Sequence, residues 1–464
     1  MQKNTKRTNM IFAVLLASSI ISSLLQTALT TAIPIIMKDL GISAATAQWL
    51  TSAYSLVMGI MVPATAYLIR RFPTKQLFIA AMSIFTLGLL FAAVAKEFPL
   101  LMIGRILQAI GNGILLSLTQ VVILTIFPAE KRGAKLGLYG LAIGAAPVIS
   151  PTLAGIIMDL ASWNTIFWIC MILSVIVILL AFKVLGNVLE TSKQSFDAVS
   201  MILCSLGFIG LFFGLGNLGV YSLLSIYAGL PIIIGAVSLV IFTYRQLHME
   251  EPFLELRLFR NPEFRLGVVM SMIMYAVLMA GSTLFPIYIQ SLRGFSATFS
   301  GLIVMPGSLI MAVISPFAGK LYDKFGIARL FIISGVLLVV SSLGVTFLTM
   351  NTSMVYLMMI LALRLLAIGL IMMPLTTWGL STIEAKNTAH GTALLTSLRT
   401  IAGSFSSAVF ISIMMAAASD YKSLSPAASD IKGMNITFIC ISVMAFLQFL
   451  LSVYIARKQK RSGK

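Results

Sequence analysis

The sequence predicts an all-α membrane protein with fourteen transmembrane helices, and three observations lead to this prediction. First, 59% of the 464 residues are hydrophobic and only 10% are charged, whereas soluble globular domains carry about 25% charged residues. Second, apolar runs long enough to cross a bilayer, about 20 residues each, recur along the whole chain. Third, most Lys and Arg residues lie in the short segments between these runs.

The predicted spans follow one another with short connections. The first one is preceded by Lys3, Lys6 and Arg7, as in a signal peptide, but its apolar part continues to about Ile33 and is too long for one. We therefore interpret it as a span. The predicted spans lie at about 10–33, 47–69, 76–95, 98–126, 135–158, 163–182, 198–218, 223–243, 266–289, 298–318, 329–349, 354–378, 391–418 and 434–456.

The basic residues predict the orientation, because cytoplasmic segments of membrane proteins carry an excess of Lys and Arg. With fourteen spans both termini lie on one side, and that side carries 24 of the 32 basic residues, whereas the other side carries five. We therefore predict a multi-pass protein of the cytoplasmic (inner) cell membrane with both termini in the cytoplasm. The remaining three basic residues, Arg105, Arg364 and Arg399, lie inside predicted spans.

The composition and motifs argue against several other functions. The net charge of +18 is accounted for by this topology signal rather than by nucleic-acid binding. The sequence contains no glycine-rich phosphate loop of the Walker type, which argues against an ATP-driven pump. The 3 cysteines lie in apolar runs, without the spacing of a metal site or a disulfide. We expect no cofactor, no bound metal and no enzymatic activity.

The most informative stretch is LMIGRILQAIGNG, at 101–113. Arg105, Gln108 and Asn112 are spaced by three and four residues, so they share one face of the predicted helix. An arginine near the middle of a membrane helix costs at least about 2.5 kcal/mol on insertion scales and normally faces a bundle interior or an aqueous cavity. We predict that this face lines a transport pathway. The alternative is a structural role, in which Arg105 binds backbone carbonyls or Gln26.

Other polar side chains inside the spans are further candidates for the cavity. Gln26 and Thr30 belong to a polar stripe in the first span, and Arg364 lies near the centre of its span. Arg399 lies only about two turns from the cytoplasmic start of its span, so we expect it to extend to the interface or to pair with Glu384. All 14 Asp and Glu residues lie in loops or at span ends. The predicted membrane interior therefore has three cations and no carboxylate.

The chain contains an internal repeat. AYLIRRFPTK at 66–75 corresponds to GKLYDKFGIAR at 319–329, and RILQAIG from Arg105 corresponds to RLLAIG from Arg364. Two such halves that meet around a midplane site are typical of secondary transporters. The predicted units are an N-terminal six-helix bundle (1–182), an inserted helix pair with its cytoplasmic loop (183–265), and a C-terminal six-helix bundle with a basic tail (266–464).

These motifs resemble those of the major facilitator superfamily, specifically its fourteen-helix drug:proton antiporter branch, over essentially the whole chain. In the segment at 319–329, several residues match the family's loop motif G-x-L-x-D-R-x-G-x-x-x: Gly319, Leu321, Asp323, Lys324, Gly326 and Arg329. In RILQAIG, Arg105, Gln108 and Gly111 match the motif R-x-x-Q-G-x-G, with Ala109 where the first glycine is usual. The resemblance implies that the loop fastens a cytoplasmic gate through Asp323, Lys324 and Arg329. A stretch similar to the antiporter motif GxxxGPxxGG contains Gly140, Gly144, Pro147, Pro151 and Gly155.

Two departures from the family pattern matter. Gln26 stands where many members have an aspartate, which removes an expected membrane carboxylate. Arg70 stands where the N-terminal copy of the loop motif normally has its aspartate, so we assign no gating role to it.

The resemblance implies two six-helix bundles with an inserted helix pair, and multidrug efflux by alternating access at the expense of the proton gradient. Substrates should be hydrophobic or amphiphilic, and neutral, zwitterionic or anionic molecules such as fluoroquinolones should be favoured over organic dications, because the interior is cationic. Protons and membrane lipid are the other expected partners. The alternatives are an exporter of an endogenous lipid or metabolite, and a non-transporting membrane sensor or scaffold. The candidate proton carriers are acids near the outer span ends: Asp159, Glu97 and Asp39.

Overall fold

The structure is a computed structural model that describes residues 2–189, 197–218, 221–249, 252, 254–384, 388–421 and 425–461, although some side chains within these ranges, including most of those between 129 and 148, are not described. The described residues form helices and contain no strand. The α-helices are α1 (Gln2–Leu40), α2 (Ala44–Arg71), α3 (Thr74–Ala93), α4 (Phe98–Ile126), α5 (Ala129–Leu160), α6 (Asn164–Val184), α7 (Ala198–Asn217), α8 (Gly229–His248), α9 (Pro262–Pro286), α10 (Ala297–Leu343), α11 (Met354–Ser381), α12 (Thr388–Ser419) and α13 (Pro426–Arg461). A 3-10 helix at Leu256–Arg260 and a π-helix at Ile287–Leu292 flank α9.

The helices are long and apolar enough to cross a membrane. Twelve stretches within the described residues meet this condition, and α10 supplies two of them, Ala297–Ser315 and Lys324–Leu343. The helices α2 and α5, which contain undescribed side chains, have 28 and 32 residues. The prediction of an all-α, multi-pass membrane protein is confirmed, and the count of fourteen spans stays a prediction.

The predicted connection between the spans at 298–318 and 329–349 contains a kink that separates two helical halves of α10. At Gly326 the backbone has φ 75° and ψ 161°, and the helix continues on both sides. A positive φ favours glycine, which has no Cβ to clash with the backbone. The two predicted spans are therefore both present, and the connection between them is short because a single glycine is enough to separate the two helical halves of α10.

Hydrogen bonds between helix termini define two ends of the molecule. At the end that we call proximal, where α3 begins and α6 ends, the Nζ of Lys75 donates to the carbonyl of Phe182 at 2.7 Å. At the distal end, where α3 ends and α6 begins, the Nδ2 of Asn164 donates to the carbonyl of Ala93 at 3.1 Å. The start of α1 lies at the proximal end, and the connection between α1 and α2 lies at the distal end.

The apolar core has two large clusters. One is formed by buried residues between 11 and 185 with Ala297, and the other by buried residues between 270 and 455. We propose to describe the molecule as two halves, 1–182 and 266–464, separated along the chain by 183–265. The helix α7 contacts both halves, because the ring of Phe212 lies 4.8 Å from that of Trp49 in α2 and 5.8 Å from that of Phe405 in α12.

Candidate functional site

Arg105 in α4 is fully buried and is the centre of the candidate site. Its Nε donates to the carbonyl of Leu50 in α2 at 3.1 Å, and one terminal nitrogen donates to Oε1 of Gln108 at 2.7 Å. Its guanidinium carbon lies 4.0 Å from the ring centroid of Tyr54, in cation–π geometry. The other terminal nitrogen, NH2, is buried and has no hydrogen-bond partner. Arg105 therefore retains vacant donors in the interior of the protein.

The polar face of α4 is held by close packing of α3 against α4. A Cβ placed on Gly88 would lie 2.6 Å from the carbonyl oxygen of Gly104, so both positions need glycine at this approach. The approach lets Nε2 of Gln108 donate to the carbonyl of Gly88 at 2.9 Å. One turn further, Nδ2 of Asn112 donates to the hydroxyl of Tyr54 at 2.7 Å. Arg105, Gln108 and Asn112 thus line one buried face.

The first span contributes less to this site than the sequence suggested. Gln26 is half-buried, and Thr30 donates its hydroxyl proton to the carbonyl of Thr27 in its own helix at 2.7 Å. The hydrogen bonds described for Arg105 go to Leu50 and Gln108 rather than to Gln26. The alternative of pairing with Gln26 has no described hydrogen bond, because Gln108, three residues along the same helix, already reaches the guanidinium. No local feature of the sequence could have identified the backbone carbonyls of residues 50 and 88 as hydrogen-bond partners of Arg105 and Gln108.

Arg364 in α11 is also buried, but its contacts lie within the C-terminal half. One terminal nitrogen donates to the carbonyl of Val277 in α9 at 2.8 Å, and the other lies 3.5 Å from the hydroxyl of Ser342 in α10. The ring centroid of Phe285 is 5.8 Å from the guanidinium carbon. Arg364 therefore connects three helices of one half.

Only one of the three acid candidates contacts the opposite half in the described structure. Oδ2 of Asp159, at the end of α5, accepts a hydrogen bond at 3.1 Å from the backbone N–H of Thr298 in the first turn of α10. Oδ2 of Asp39 accepts from Nε1 of Trp163 in its own half at 2.7 Å. Glu97 is exposed and precedes α4 without capping it through its side chain. Asp159 therefore joins the two halves at the distal end.

The helix that carries the antiporter-like motif packs tightly against α10 at the same end. A Cβ on Gly155 would lie 2.6 Å from the Cα of Thr298, and one on Gly301 would lie 2.7 Å from the carbonyl oxygen of Pro151. Nearby, Nε2 of Gln290 donates to the carbonyl of Thr31 at 3.1 Å. The two halves are thus in close contact distally. Three further motif residues are among those whose surroundings are not described: Gly140, Gly144 and Pro147.

The predicted gating residues lie around the kink of α10. Lys324 is exposed, with its Nζ 5.3 Å from the ring centroid of Phe325, and Arg329 is also exposed. The side chain of Asp323 lies outside the described residues. The two ion pairs described in the structure, Arg245–Asp197 at 3.0 Å and Arg257–Glu255 at 3.7 Å, are both near the inserted pair.

Comparison with known proteins agrees with this architecture. The family model of the Major Facilitator Superfamily matches residues 15–407. The chain is 35% identical to the lincomycin resistance protein LmrB of Listeria monocytogenes, covering 97% of each chain. It is 29% identical to the multidrug export protein EmrB of Haemophilus influenzae, covering 80% of this chain and 74% of EmrB.

The fold is also similar to that of solved transporters. A crystal structure of a POT family transporter in complex with a thioalcohol-conjugated peptide superposes with a TM-score of 0.73, at 13% sequence identity and 96% coverage of both chains. The two core clusters are consistent with this fold. The chain belongs to the Major Facilitator Superfamily of membrane transporters.

Proposed function

We propose that this transporter exports hydrophobic or amphiphilic small molecules from the cytoplasm, as a multidrug efflux protein driven by the proton gradient. The similarity to LmrB and EmrB supports export of drugs. We further propose that the proximal end faces the cytoplasm and the distal end faces outward. Transport would proceed by alternating access, in which residues 1–182 rock against 266–456, and the segment with Asp323, Lys324 and Arg329 would fasten the cytoplasmic side.

The observation that carries the proposed substrate class is the state of Arg105. It is fully buried, its NH2 group has no partner, and its described contacts are with a carbonyl, an amide and an aromatic ring rather than a carboxylate. A desolvated cation repels a second cation and attracts an anion. We therefore propose that neutral, zwitterionic or anionic substrates are favoured over organic dications.

Asp159 is the proposed site of proton coupling, because it is the candidate acid whose hydrogen bond joins the halves. As a carboxylate it interacts favourably with the N-terminus of α10. Protonation would remove this charge and weaken the distal contact, which would couple proton binding to outward opening. Asp39 and Glu97 have no such contact in the described structure and remain secondary candidates.

Efflux from proteoliposomes, with and without a pH gradient, tests the proposed function. We expect lincomycin or a fluoroquinolone to be exported faster with the gradient. The Asp159→Asn variant should lose acceleration by the gradient but keep substrate exchange without it, whereas Asp420→Asn, at another exposed distal acid, should behave as the native protein. Gradient-driven efflux by Asp159→Asn would exclude Asp159 as the proton carrier. Transport of lipid without any drug transport would favour a lipid exporter, and no flux of any compound would favour a scaffold.

A further inference from the structure

A second arginine–tyrosine pair lies in the C-terminal half. The guanidinium carbon of Arg399 in α12 is 5.8 Å from the ring centroid of Tyr275 in α9. The Nε of Arg399 is buried and has no hydrogen-bond partner, although the side chain as a whole is only half-buried. Arg399 therefore packs towards α9 and has a vacant donor inside the protein.

The second pair lies close to the first one. A Cβ on Gly403, one turn after Arg399, would be 2.6 Å from Cδ1 of Tyr275. The next residue, Ser404, donates its hydroxyl proton to the carbonyl of Ser52 at 2.7 Å, and Ser52 precedes Tyr54 by two residues in α2. The two arginine–tyrosine pairs thus approach each other across the contact between the halves.

The chemistry of the two pairs is suited to one kind of ligand. Each guanidinium has a vacant N–H donor, and guanidinium groups bind carboxylates through short, charge-assisted hydrogen bonds. The hydroxyl of Tyr54 accepts a bond from Asn112, so its own proton remains available for donation. The two tyrosine rings add aromatic surface against which a planar ring can pack.

We propose that Arg399 and Tyr275, together with Arg105 and Tyr54, form a subsite for the carboxylate of an aromatic monoacid, with one arginine–tyrosine pair supplied by each half. The proposal rests on the proposed function and specifies its substrate class. A ligand that neutralises cations of both halves would draw the halves together. Arg399 is then a specificity-determining residue.

The proposal can be tested with a matched pair of ligands, nalidixic acid and its primary amide, which differ in charge but little in shape. Binding of each to the full-length, detergent-solubilised protein is measured by calorimetry, and export of each is measured in proteoliposomes. We expect the native protein to bind the acid about tenfold or more tightly than the amide, which is the usual scale for a charge-assisted hydrogen bond. Arg399→Gln should reduce binding of the acid by about the same factor and change binding of the amide less than twofold.

Two further variants make the outcome decisive. Arg265→Gln removes the same charge from an exposed position in α9 and should leave both affinities unchanged. Arg399→Lys keeps the positive charge and should retain part of the preference for the acid. This variant tests the subsite if Arg399→Gln does not fold. If the folded Arg399→Gln variant has the same ratio of acid affinity to amide affinity as the native protein, the proposed subsite is wrong. Export of both compounds would in that case still support the proposed function. Absence of export of either compound by the native protein would count against the proposed function itself.

Discussion

Arg105 and Arg364 occupy corresponding positions in the two halves, yet their surroundings differ. Both follow the same short sequence pattern and both are buried, with 0% and 2% of the residue exposed. Arg105 binds Gln108 three residues along its helix, whereas the corresponding position in α11 is Ala367, which offers no side-chain acceptor. Arg364 instead reaches a backbone carbonyl of α9. A repeated motif therefore conserves the position of the charge but not its partners.

This difference separates two uses of a buried arginine. Arg364 joins α9, α10 and α11 within one half, and none of its nitrogens is among the buried unpartnered atoms of the described structure. Arg105 has a vacant nitrogen and lies against α2, the helix that contacts α12 of the other half. We interpret Arg364 as a structural connection and Arg105 as part of the transport pathway.

The largest expected effect is therefore a divergence between Arg105→Gln and Arg364→Gln. Arg105→Gln should reduce resistance and drug export by at least about tenfold, because charge-assisted hydrogen bonds to substrate are lost. Its thermal midpoint should not fall, since removal of an incompletely paired buried charge is often neutral or stabilising. Arg364→Gln should lower the thermal midpoint by a few °C, because it loses a connection between three helices. Resistance in an efflux-deficient bacterium and thermal unfolding in detergent measure the two effects.

Arg265→Gln provides the matched control for this comparison, because it removes an exposed arginine. If Arg105→Gln and Arg364→Gln both abolish export at unchanged thermal stability, the distinction between the two arginines is wrong and both serve the pathway. If Arg105→Gln exports normally, the candidate site is in the wrong place.

A smaller effect is expected at the distal contact, where the two halves meet away from the arginines. Gly155→Ala would place a Cβ 2.6 Å from the Cα of Thr298, so α5 and α10 must separate. We expect export to slow several-fold and cross-linking between Thr31→Cys and Gln290→Cys to decrease, because the bond between these positions spans the same contact. Gly379→Ala is the matched control, since its Cβ would have no neighbour closer than 3.7 Å. Unchanged cross-linking in Gly155→Ala would show that this contact is not needed for distal closure.

Much of the fold and part of the site could be predicted from the sequence. The apolar runs predicted the helices, because in a membrane the length and hydrophobicity of a segment largely decide its structure. The three-and-four spacing predicted that Arg105, Gln108 and Asn112 share a face, because this follows from helix geometry alone. The kink at Gly326 could not be distinguished from a loop, since glycine is compatible with both.

The partners of these residues could not be predicted. The ring of Tyr54, the carbonyl of Leu50 and the approach of Arg399 to Tyr275 depend on which helices pack together and how they are rotated. Such contacts join residues 50 to more than 100 positions apart, and the period of one helix carries no information about them. The sequence offered only a slight reason to prefer Asp159 to Asp39 and Glu97 as the proton carrier. Its hydrogen bond to α10 is visible only in the assembled structure.

The smallest expected effect concerns Arg245, an arginine that has a carboxylate partner, unlike Arg105 and Arg364. Burial raises the pKa of Asp197, but hydrogen bonds from Ser200 and the charge of Arg245 outweigh it, so the net pKa of this carboxyl is below its usual range. A lowered pKa in the folded state means that the ion pair stabilises the protein above the unfolded pKa, about 3.9, and that this contribution is lost as the pH falls through the folded value.

Asp197→Asn retains a side-chain oxygen to cap α7 and removes only the charge. Because the Arg245 side chain is 39% exposed, the cost at pH 7 should be no more than about 1 kcal/mol. The thermal midpoints of the native protein and Asp197→Asn should therefore differ slightly at neutral pH and converge below about pH 4, with export unchanged. A difference that persists in acid would mean that packing rather than charge connects α7 to α8, and a loss of export would place the inserted pair in the transport cycle.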